Sequence, residues 1–190
     1  MSEPVQSVPA ATILMLRDGP SGLETFMVVR HHQIDFASGA LVFPGGKVDA
    51  GDAGVRAFCE GVDDADDATL SFKAGAIREA FEECGILLAR ERGSTELIPA
   101  ARLKQLDHYR DPLNQCEISL KNFLEQEHLV LACDELQHFA HWVTPNMMPK
   151  RFDTHFYLAA APSDHVAVHD GHESVDSIWI SAADALSGAA

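Results

Sequence analysis

The sequence is poor in basic residues: it has 14 Lys and Arg against 29 Asp and Glu, which gives a formal net charge of −15 at pH 7. A nucleic acid or an anionic membrane needs a basic footprint on its partner, so the composition excludes both as main partners. A small phosphorylated substrate is still compatible with this charge. Clustered carboxylates can bind divalent cations, and the cations then reverse the local sign of the electric field.

The sequence also lacks long apolar runs and closely spaced cysteines. No run approaches the roughly 18 apolar residues that span a bilayer, and the start, MSEPVQSVPA, has neither a basic nor an apolar leader segment. The four cysteines show neither CxxC nor zinc-type spacing, which is typical of reduced thiols. We therefore expect a cytoplasmic protein. The 46% hydrophobic content and the length suit one domain over residues 1–190, and a homodimer is compatible with them.

Runs of apolar and turn-forming residues predict a mixed α/β chain. Strands are expected at residues 11–16, 25–30, 40–43, 138–143, 154–159 and 175–180, and a last helix is expected to begin at Ser181. The acidic residues 49–67 predict a solvated insertion, placed at about 53–70. A second, mainly helical insertion is expected at about 99–135. The strongest helix signal covers residues 73–90 and follows Ser71.

Three carboxylates fall on one side of this predicted helix. With Glu79 as zero and about 100° per residue, Glu82 lies near 300° and Glu83 near 40°. The apolar residues lie between roughly 140° and 200°, on the opposite side, and are Ile77, Phe81, Cys84 and Leu88. The helix is therefore expected to turn its apolar side to the core and its acids away from the core.

Three acids on one side of a helix need either solvent or a cation. Like charges ~4 Å apart repel by about 4 kcal/mol at an effective dielectric of 20. A divalent metal relieves this repulsion, and a set of oxygen ligands favours Mg²⁺ or Mn²⁺ over Zn²⁺. The alternative is an acidic stripe on a solvated surface helix.

The residues around this helix resemble the Nudix box, in which Gly, five residues, Glu and seven residues precede Arg-Glu-U-x-Glu-Glu-x-Gly-U, with U aliphatic. The matching positions are Gly46, Arg78, Glu79, Glu82, Glu83, Gly85 and Ile86. The resemblance implies an α/β/α sandwich around a mixed sheet, and a hydrolase that cleaves a diphosphate linkage. Asp52 stands where the family has Glu, Ala80 fits the aliphatic position weakly, and residues 53–77 put 25 positions where the family has seven.

The resemblance also implies roles for individual residues. Glutamates and a backbone carbonyl of the glycine turn would hold the metal, and the candidates are Glu79, Glu82, Glu83, Gly45 and Gly46. Glu82 and Glu83 would be the principal ligands, with Glu79 a further ligand or the general base. Arg78 would orient the glutamates by ion pairing. Asp52 and Glu173 are candidates for an additional acid near the metal.

The substrate class is suggested by resemblance beyond the box. The loop VFPGGKVDAGD, the long insertion and residues 142–157 look like the branch of Nudix enzymes that includes the peroxisomal coenzyme A diphosphatases. This implies cleavage of CoA or acyl-CoA into phosphopantetheine, or its acyl form, and adenosine 3′,5′-bisphosphate. One alternative is a hydrolase of ADP-ribose, NADH or another nucleoside diphosphate derivative. The other is a non-catalytic Nudix module that binds a nucleotide.

Further residues are candidates for contacts with the substrate. Cations near the glycine turn or just before a strand could grip a phosphate, and they are Arg30, Lys47, Lys150 and Arg151. A surface role stays open for each of them. A zinc site at His165, His169, His172 and Glu173 is disfavoured, because this stretch lacks the helix that HExxH chemistry requires. The aromatic residues Trp142, Phe152, Phe156 and Trp179 are expected in the core or the cleft wall.

Overall fold

The computed structural model describes residues 5–30, 40–165 and 174–188. Strands and helices follow one another along the chain as β1 (Val8–Gly19), β2 (Gly22–Arg30), β3 (Leu41–Val42), β4 (Gly45–Lys47), β5 (Cys59–Glu60), α1 (Asp67–Cys84), β6 (Ala89–Glu91), α2 (Ala100–Leu106), α3 (Arg110–Asn114), α4 (Leu120–Gln126), β7 (Leu129–Ala132), β8 (Gln137–Val143), β9 (Phe152–Ala160), β10 (Ser174–Ser181) and α5 (Ala182–Ser187). Short 3₁₀ helices lie at Ala50–Phe58, Asp107–Tyr109 and Cys133–Glu135.

A seven-stranded sheet organises the fold, with the order β10-β2-β1-β9-β8, and with β3 paired to β2 and β4 paired to β1. The pairing of β1 with β9 is parallel and the other pairings are antiparallel, so the sheet is mixed. A smaller sheet has the order β5-β7-β6. The predicted class, an α/β fold around a mixed sheet, is confirmed. In the described part of the chain, no helix combines the length and apolarity needed to cross a bilayer.

The side chains of β1 alternate between the two faces of the main sheet. Ala11, Ile13 and Met15 are completely buried in the core, while Ala10 and Thr12 point to the other face and line a cleft. Successive side chains of a strand point to opposite sides, so β1 contributes residues to both the core and the cleft. The core side packs against α1, whose Ile77 and Phe81 are buried as expected from the helical pattern.

The helix that carries the acids does not have the predicted ends. It begins at Asp67, where the side chain of Asp66 caps it by accepting a hydrogen bond from the Thr69 amide at 2.8 Å. It ends at Cys84, because Gly85 adopts the left-handed conformation with φ 66°. The prediction of 73–90 is therefore wrong at both ends. Leu88 is buried as expected, but it lies just before β6 rather than on α1.

The acidic segment between β4 and α1 is not simply solvated. Its 3₁₀ helix buries Val55 completely and leaves Asp52 only 1% exposed, and Val62 is also buried. Most residues of the segment are exposed or half-buried, as expected for an insertion at the surface, but a few buried side chains hold it to the core. The segment thus packs on the core and reaches the acid-bearing side of α1.

Candidate active site

A cleft of about 670 Å³ lies where α1, β4 and the outer face of the main sheet meet. Its volume is in the range of small-molecule sites, about 300–1,000 Å³. Polar lining comes from the glycine turn and from Arg78, Glu79, Glu82 and Glu83, and apolar lining comes from Leu41, Val42, Phe43, Phe152 and Phe156. The cleft therefore joins a charged floor to an apolar and aromatic wall.

The glutamates of α1 converge in this cleft and are more buried than the helical pattern suggests. Glu82 is 3% exposed and Glu83 is 6% exposed. Among the described residues, Oε1 of Glu82 is one of the buried side-chain atoms without a hydrogen-bond partner. A buried carboxylate oxygen without a partner is costly, so this atom marks a place where a cation would be stabilised. The acids point away from the apolar core, as predicted, but into the cleft and not into bulk solvent.

Arg78 holds the acids in place with its whole guanidinium group. Its Nη1 donates to Glu79 Oε1 and Glu82 Oε2, both at 3.0 Å. Its Nε and Nη2 donate to the two carboxylate oxygens of Asp52, both at 3.1 Å. Nη2 also donates to the carbonyl of Lys47 at 2.8 Å. Since a guanidinium carries five N–H donors, every donor of Arg78 is used.

The glycine turn fits closely against these acids. A Cβ atom on Gly46 would lie 2.6 Å from the carboxyl carbon of Glu79, so a side chain there would displace Glu79. The amide of Gly45 donates to Glu83 Oε2 at 2.9 Å. Backbone hydrogen bonds join the Ile13 amide to the Pro44 carbonyl and the Val48 amide to the Pro9 carbonyl. Because hydrogen-bonded and non-hydrogen-bonded pairs alternate between antiparallel strands, the backbone N–H and C=O of Gly46 point to β1, and those of Gly45 point away from β1, to the acids.

Burial sets the protonation of the cluster in the metal-free protein. It raises the pKa of Glu82 to about 8, with Arg78 opposing the rise and the charge of Glu79 adding to it. Burial likewise raises the pKa of Asp52, against the opposing hydrogen bond and charge of Arg78. Burial alone would lower the pKa of Arg78, but its bond to Asp52 and the charges of Glu79, Asp52 and Glu82 outweigh it and raise the pKa. Arg78 thus stays a cation while Glu82 can exchange a proton near neutral pH.

The structure separates the predicted cations into two groups. Lys47 lines the cleft with an exposed side chain. Lys150 is exposed in the connection between β8 and β9, and Arg151 donates from Nε to the Thr144 carbonyl at 3.0 Å and from Nη1 to the Val5 carbonyl. Arg151 therefore fastens the chain near β1, and neither of these two lines the cleft. Arg30 ends β2, but its side chain lies outside the described residues.

The other sequence candidates have mixed outcomes. Phe152 and Phe156 line the cleft, as expected. Trp142 is 72% exposed on the edge strand β8 and is not part of the cleft lining, so its assignment to the core or cleft wall is wrong. Its ring contacts Phe156 edge-on, with centroids 6.0 Å apart, and the rest of the ring is open to solvent. His165 Nε2 lies 2.8 Å from the Ile98 carbonyl. His169, His172 and Glu173 lie outside the described residues.

Sequence reasoning missed Arg110. This side chain of α3 donates from Nε to the Glu82 carbonyl at 3.2 Å, and it lies beside Gly85 at the end of α1. It supports the last turn of the helix, whose carbonyls have no partners within the helix. No local pattern marks this role, because the contact joins residues 28 positions apart.

The chain is similar to a known protein family and to solved structures. The family model described as the NUDT19 Nudix domain matches residues 60–188. A crystal structure of a Nudix hydrolase from Alicyclobacillus acidocaldarius is 28% identical, with a TM-score of 0.76, and the match covers 96% of this chain and 82% of that one.

A second similar structure supports the fold alone. The Nudix domain of Shewanella oneidensis NrtR, solved in complex with ADP ribose, is 12% identical with a TM-score of 0.53. That match covers 96% of this chain and 78% of the other.

Proposed function

The chain belongs to the Nudix hydrolase family, and from that premise we propose that the acids of α1 and the glycine turn are its catalytic centre and that CoA or acyl-CoA is its substrate. Enzymes of this family are pyrophosphohydrolases that act on nucleoside diphosphate derivatives and generally use divalent metal ions. The observation that carries the proposal is the cluster of Glu79, Glu82 and Glu83 in a cleft of substrate size. Arg78 holds the first two of these acids, and the amide of Gly45 holds the third.

The donor set of the cluster fits Mg²⁺ or Mn²⁺. Both ions prefer oxygen ligands, and the cluster supplies carboxylates together with the unpartnered Oε1 of Glu82. We assign Glu82 and Glu83 as principal ligands and Glu79 as a further ligand or the general base. The backbone argues for the carbonyl of Gly45 rather than that of Gly46, because Gly45 faces the acids. When bound, the metal polarises a phosphoryl oxygen and lowers the pKa of the attacking water.

The protein side chains hold the carboxylates in position and balance their charge. Arg78 holds Glu79 and Glu82 at 3.0 Å each, which keeps both carboxylates in one arrangement before the substrate arrives. Asp52 takes two donors of the same guanidinium, so it acts as the partner of Arg78 rather than as an additional acid at the metal. A crowded carboxylate with a raised pKa can accept a proton from water near neutral pH.

Features of the cleft support the CoA assignment. The aromatic side chains of Phe152 and Phe156 give a surface on which an adenine ring or a pantetheine chain can pack. Lys47 is an exposed cation at the end of β4 and can reach a phosphate at the cleft mouth. The resemblance of residues 142–157 to the CoA diphosphatase branch adds to this. The alternative substrates, ADP-ribose and NADH, share the diphosphate and lack the 3′-phosphate of CoA.

The substrate proposal is tested by a panel of CoA, acyl-CoA, ADP-ribose and NADH with Mg²⁺, and with Mn²⁺ in parallel. We expect the highest kcat/KM for CoA or acyl-CoA, with adenosine 3′,5′-bisphosphate as a product. A clear preference for ADP-ribose or NADH would overturn the substrate while leaving the catalytic centre intact.

The catalytic centre itself is tested by Glu82→Gln, which keeps the shape of the side chain. We expect turnover to fall by at least about 10²-fold, because the variant lacks a principal carboxylate ligand of the proposed metal. The matched control is Glu125→Gln on α4, where the residue is exposed and is not part of the cleft lining. Circular dichroism checks that both variants fold. Undiminished activity in Glu82→Gln would contradict the proposed centre. Nucleotide binding without turnover in the wild-type protein would favour a non-catalytic module instead.

Oligomeric state and location stay as proposals of their own. We propose a homodimer, which sedimentation equilibrium measures against the mass of one chain. We also propose a cytoplasmic location, in line with the free thiols of Cys59, Cys84, Cys116 and Cys133. Fluorescence microscopy of the tagged full-length chain tests it.

A further inference from the structure

A cluster of histidines and an aspartate lies on the outer two strands of the main sheet. His141 of β8 pairs directly with His155 of β9, and Asp153 is two positions away from His155 on the same strand. Because side chains alternate along a strand, these three point to one face. The cleft is on the other face, where the neighbouring residues of β9, Thr154 and Phe156, are part of its lining. The cluster is therefore separate from the acids of the cleft.

The side chains of this cluster have the spacing of metal ligands. His141, Asp153 and His155 each offer one ligand atom, and these atoms lie within 4.8 Å of one another. A tetrahedral ion with bonds of about 2.0–2.1 Å holds its ligand atoms about 3.3 Å apart. Small rotations of partly exposed side chains would bring the three atoms to that spacing. His141 Nε2 and Asp153 Oδ1 are already in contact.

Neighbouring rings hold His155 in position. Phe72 of α1 stacks on its imidazole with ring centroids 4.0 Å apart. A β-bulge in β8 brings Nε2 of His138 to 3.1 Å from Nδ1 of His155. A hydrogen bond of this kind fixes the orientation of a metal-binding imidazole.

The chemistry of these ligands selects a different ion from that of the acids in the cleft. Two imidazoles and one carboxylate suit borderline transition metals, whereas Mg²⁺ prefers oxygen ligands alone. We propose that His141, Asp153 and His155 form a binding site for Zn²⁺ on the face of the sheet opposite the cleft. The site has three protein ligands and an open position, and it fastens the edge strand β8 to β9.

The proposal is tested by titrating the untagged full-length protein with Zn²⁺ and with Co²⁺, in excess Mg²⁺ that saturates the oxygen site. Calorimetry gives stoichiometry and affinity, and the visible spectrum of Co²⁺ reports nitrogen ligation at low coordination number. We expect one equivalent of Zn²⁺ to bind. His141→Gln and Asp153→Asn, both at accessible positions, should each weaken binding by at least about 10- to 100-fold.

Two controls separate this site from other sources of binding. His108→Asn removes an exposed histidine outside the cluster, and Glu82→Gln disables the acids of the cleft. We expect both variants to keep the affinity of the wild type for Zn²⁺. Failure of the wild type to bind Zn²⁺ would overturn the proposal. Binding that survives His141→Gln and Asp153→Asn, or that disappears in Glu82→Gln, would do the same by placing the ion elsewhere.

Discussion

Replacing Arg78 by methionine should cost far more stability than the same replacement at Arg90, although the two side chains are equally buried. Each is 7% exposed and each is ion-paired to several carboxylates. The difference lies in the partners. The side chains of Asp52 and Glu82 beside Arg78 are 1% and 2% exposed, whereas the carboxylate side chains beside Arg90 are 38% to 45% exposed.

The exposure of the partners sets the expected magnitudes. Removing one member of a buried ion pair leaves a charge without compensation and costs about 3–5 kcal/mol. Exposed ion pairs contribute about 0.2–1 kcal/mol each, and Arg90 has three such partners, so its loss should cost about 1–2 kcal/mol. Methionine fills much of the space of the arginine stem in both variants. The difference in unfolding free energy between the two variants therefore measures the electrostatic contribution of Arg78.

Urea unfolding in EDTA at pH 7 gives the free energy of unfolding for both variants and the wild type. Lowering the pH to 5.5 should narrow the difference in unfolding free energy between the two variants, because the pKa of Asp52 is raised by burial and rises further without the cation, so this carboxylate becomes neutral more readily. Arg78→Met should also lose activity, and Arg90→Met should retain it. Equal losses of stability at pH 7, or a larger loss at Arg90, would refute the reasoning.

Three further predictions follow from the site. Gly46→Ala should lower kcat/KM by about 10²-fold, since its Cβ would displace the Glu79 carboxyl group 2.6 Å away, whereas Gly51→Ala, which meets no atom within 4 Å, should have little effect. Folding stabilises the protonated form of Glu82, so the stability from this group in the metal-free protein is present below pH 4.5 and lost as the pH rises through about 8. In scanning fluorimetry Mg²⁺ should therefore raise the melting temperature more at pH 8 than at pH 6, and a larger rise at pH 6 would count against the ligand assignment. If the phosphate that Lys47 reaches is the 3′-phosphate of CoA, Lys47→Met should lower kcat/KM by about 10- to 100-fold on CoA and much less on dephospho-CoA, with Lys150→Met as the unaffected control. Equal losses on both substrates would contradict a contact between Lys47 and the 3′-phosphate.

The helical pattern alone predicted which side of α1 carries the acids, because a period of 3.6 residues fixes their relative angles. It did not predict their burial. The side of α1 opposite the core is covered by Asp52 and the glycine turn, and Asp52 lies 26 positions upstream of Arg78. A helical wheel contains no information about segments that fold over it from elsewhere in the chain. The helical wheel therefore gives the face on which the acids lie but not their burial.

The ends of α1 show a second limit of local reasoning. The acidic residues before the helix predicted solvated coil, yet Asp66 uses its carboxylate to cap the helix and Asp67 begins it. Acidic residues favour the start of a helix because of its dipole, and this preference competes with their preference for solvent. Trp142 is the reverse case. Its type predicted burial, but its place on an edge strand leaves it 72% exposed.

The bond between Arg78 and Asp52 allows the chain between them to vary in length. This contact ties the two ends of the segment directly, so the acids do not depend on how many residues connect them. The entropic cost of closing a longer connection is small, about 0.6 kcal/mol of additional free energy for each doubling of its length. A homologue with a shorter or longer connection should thus keep the same arrangement of glutamates wherever the arginine and its aspartate or glutamate partner are both retained.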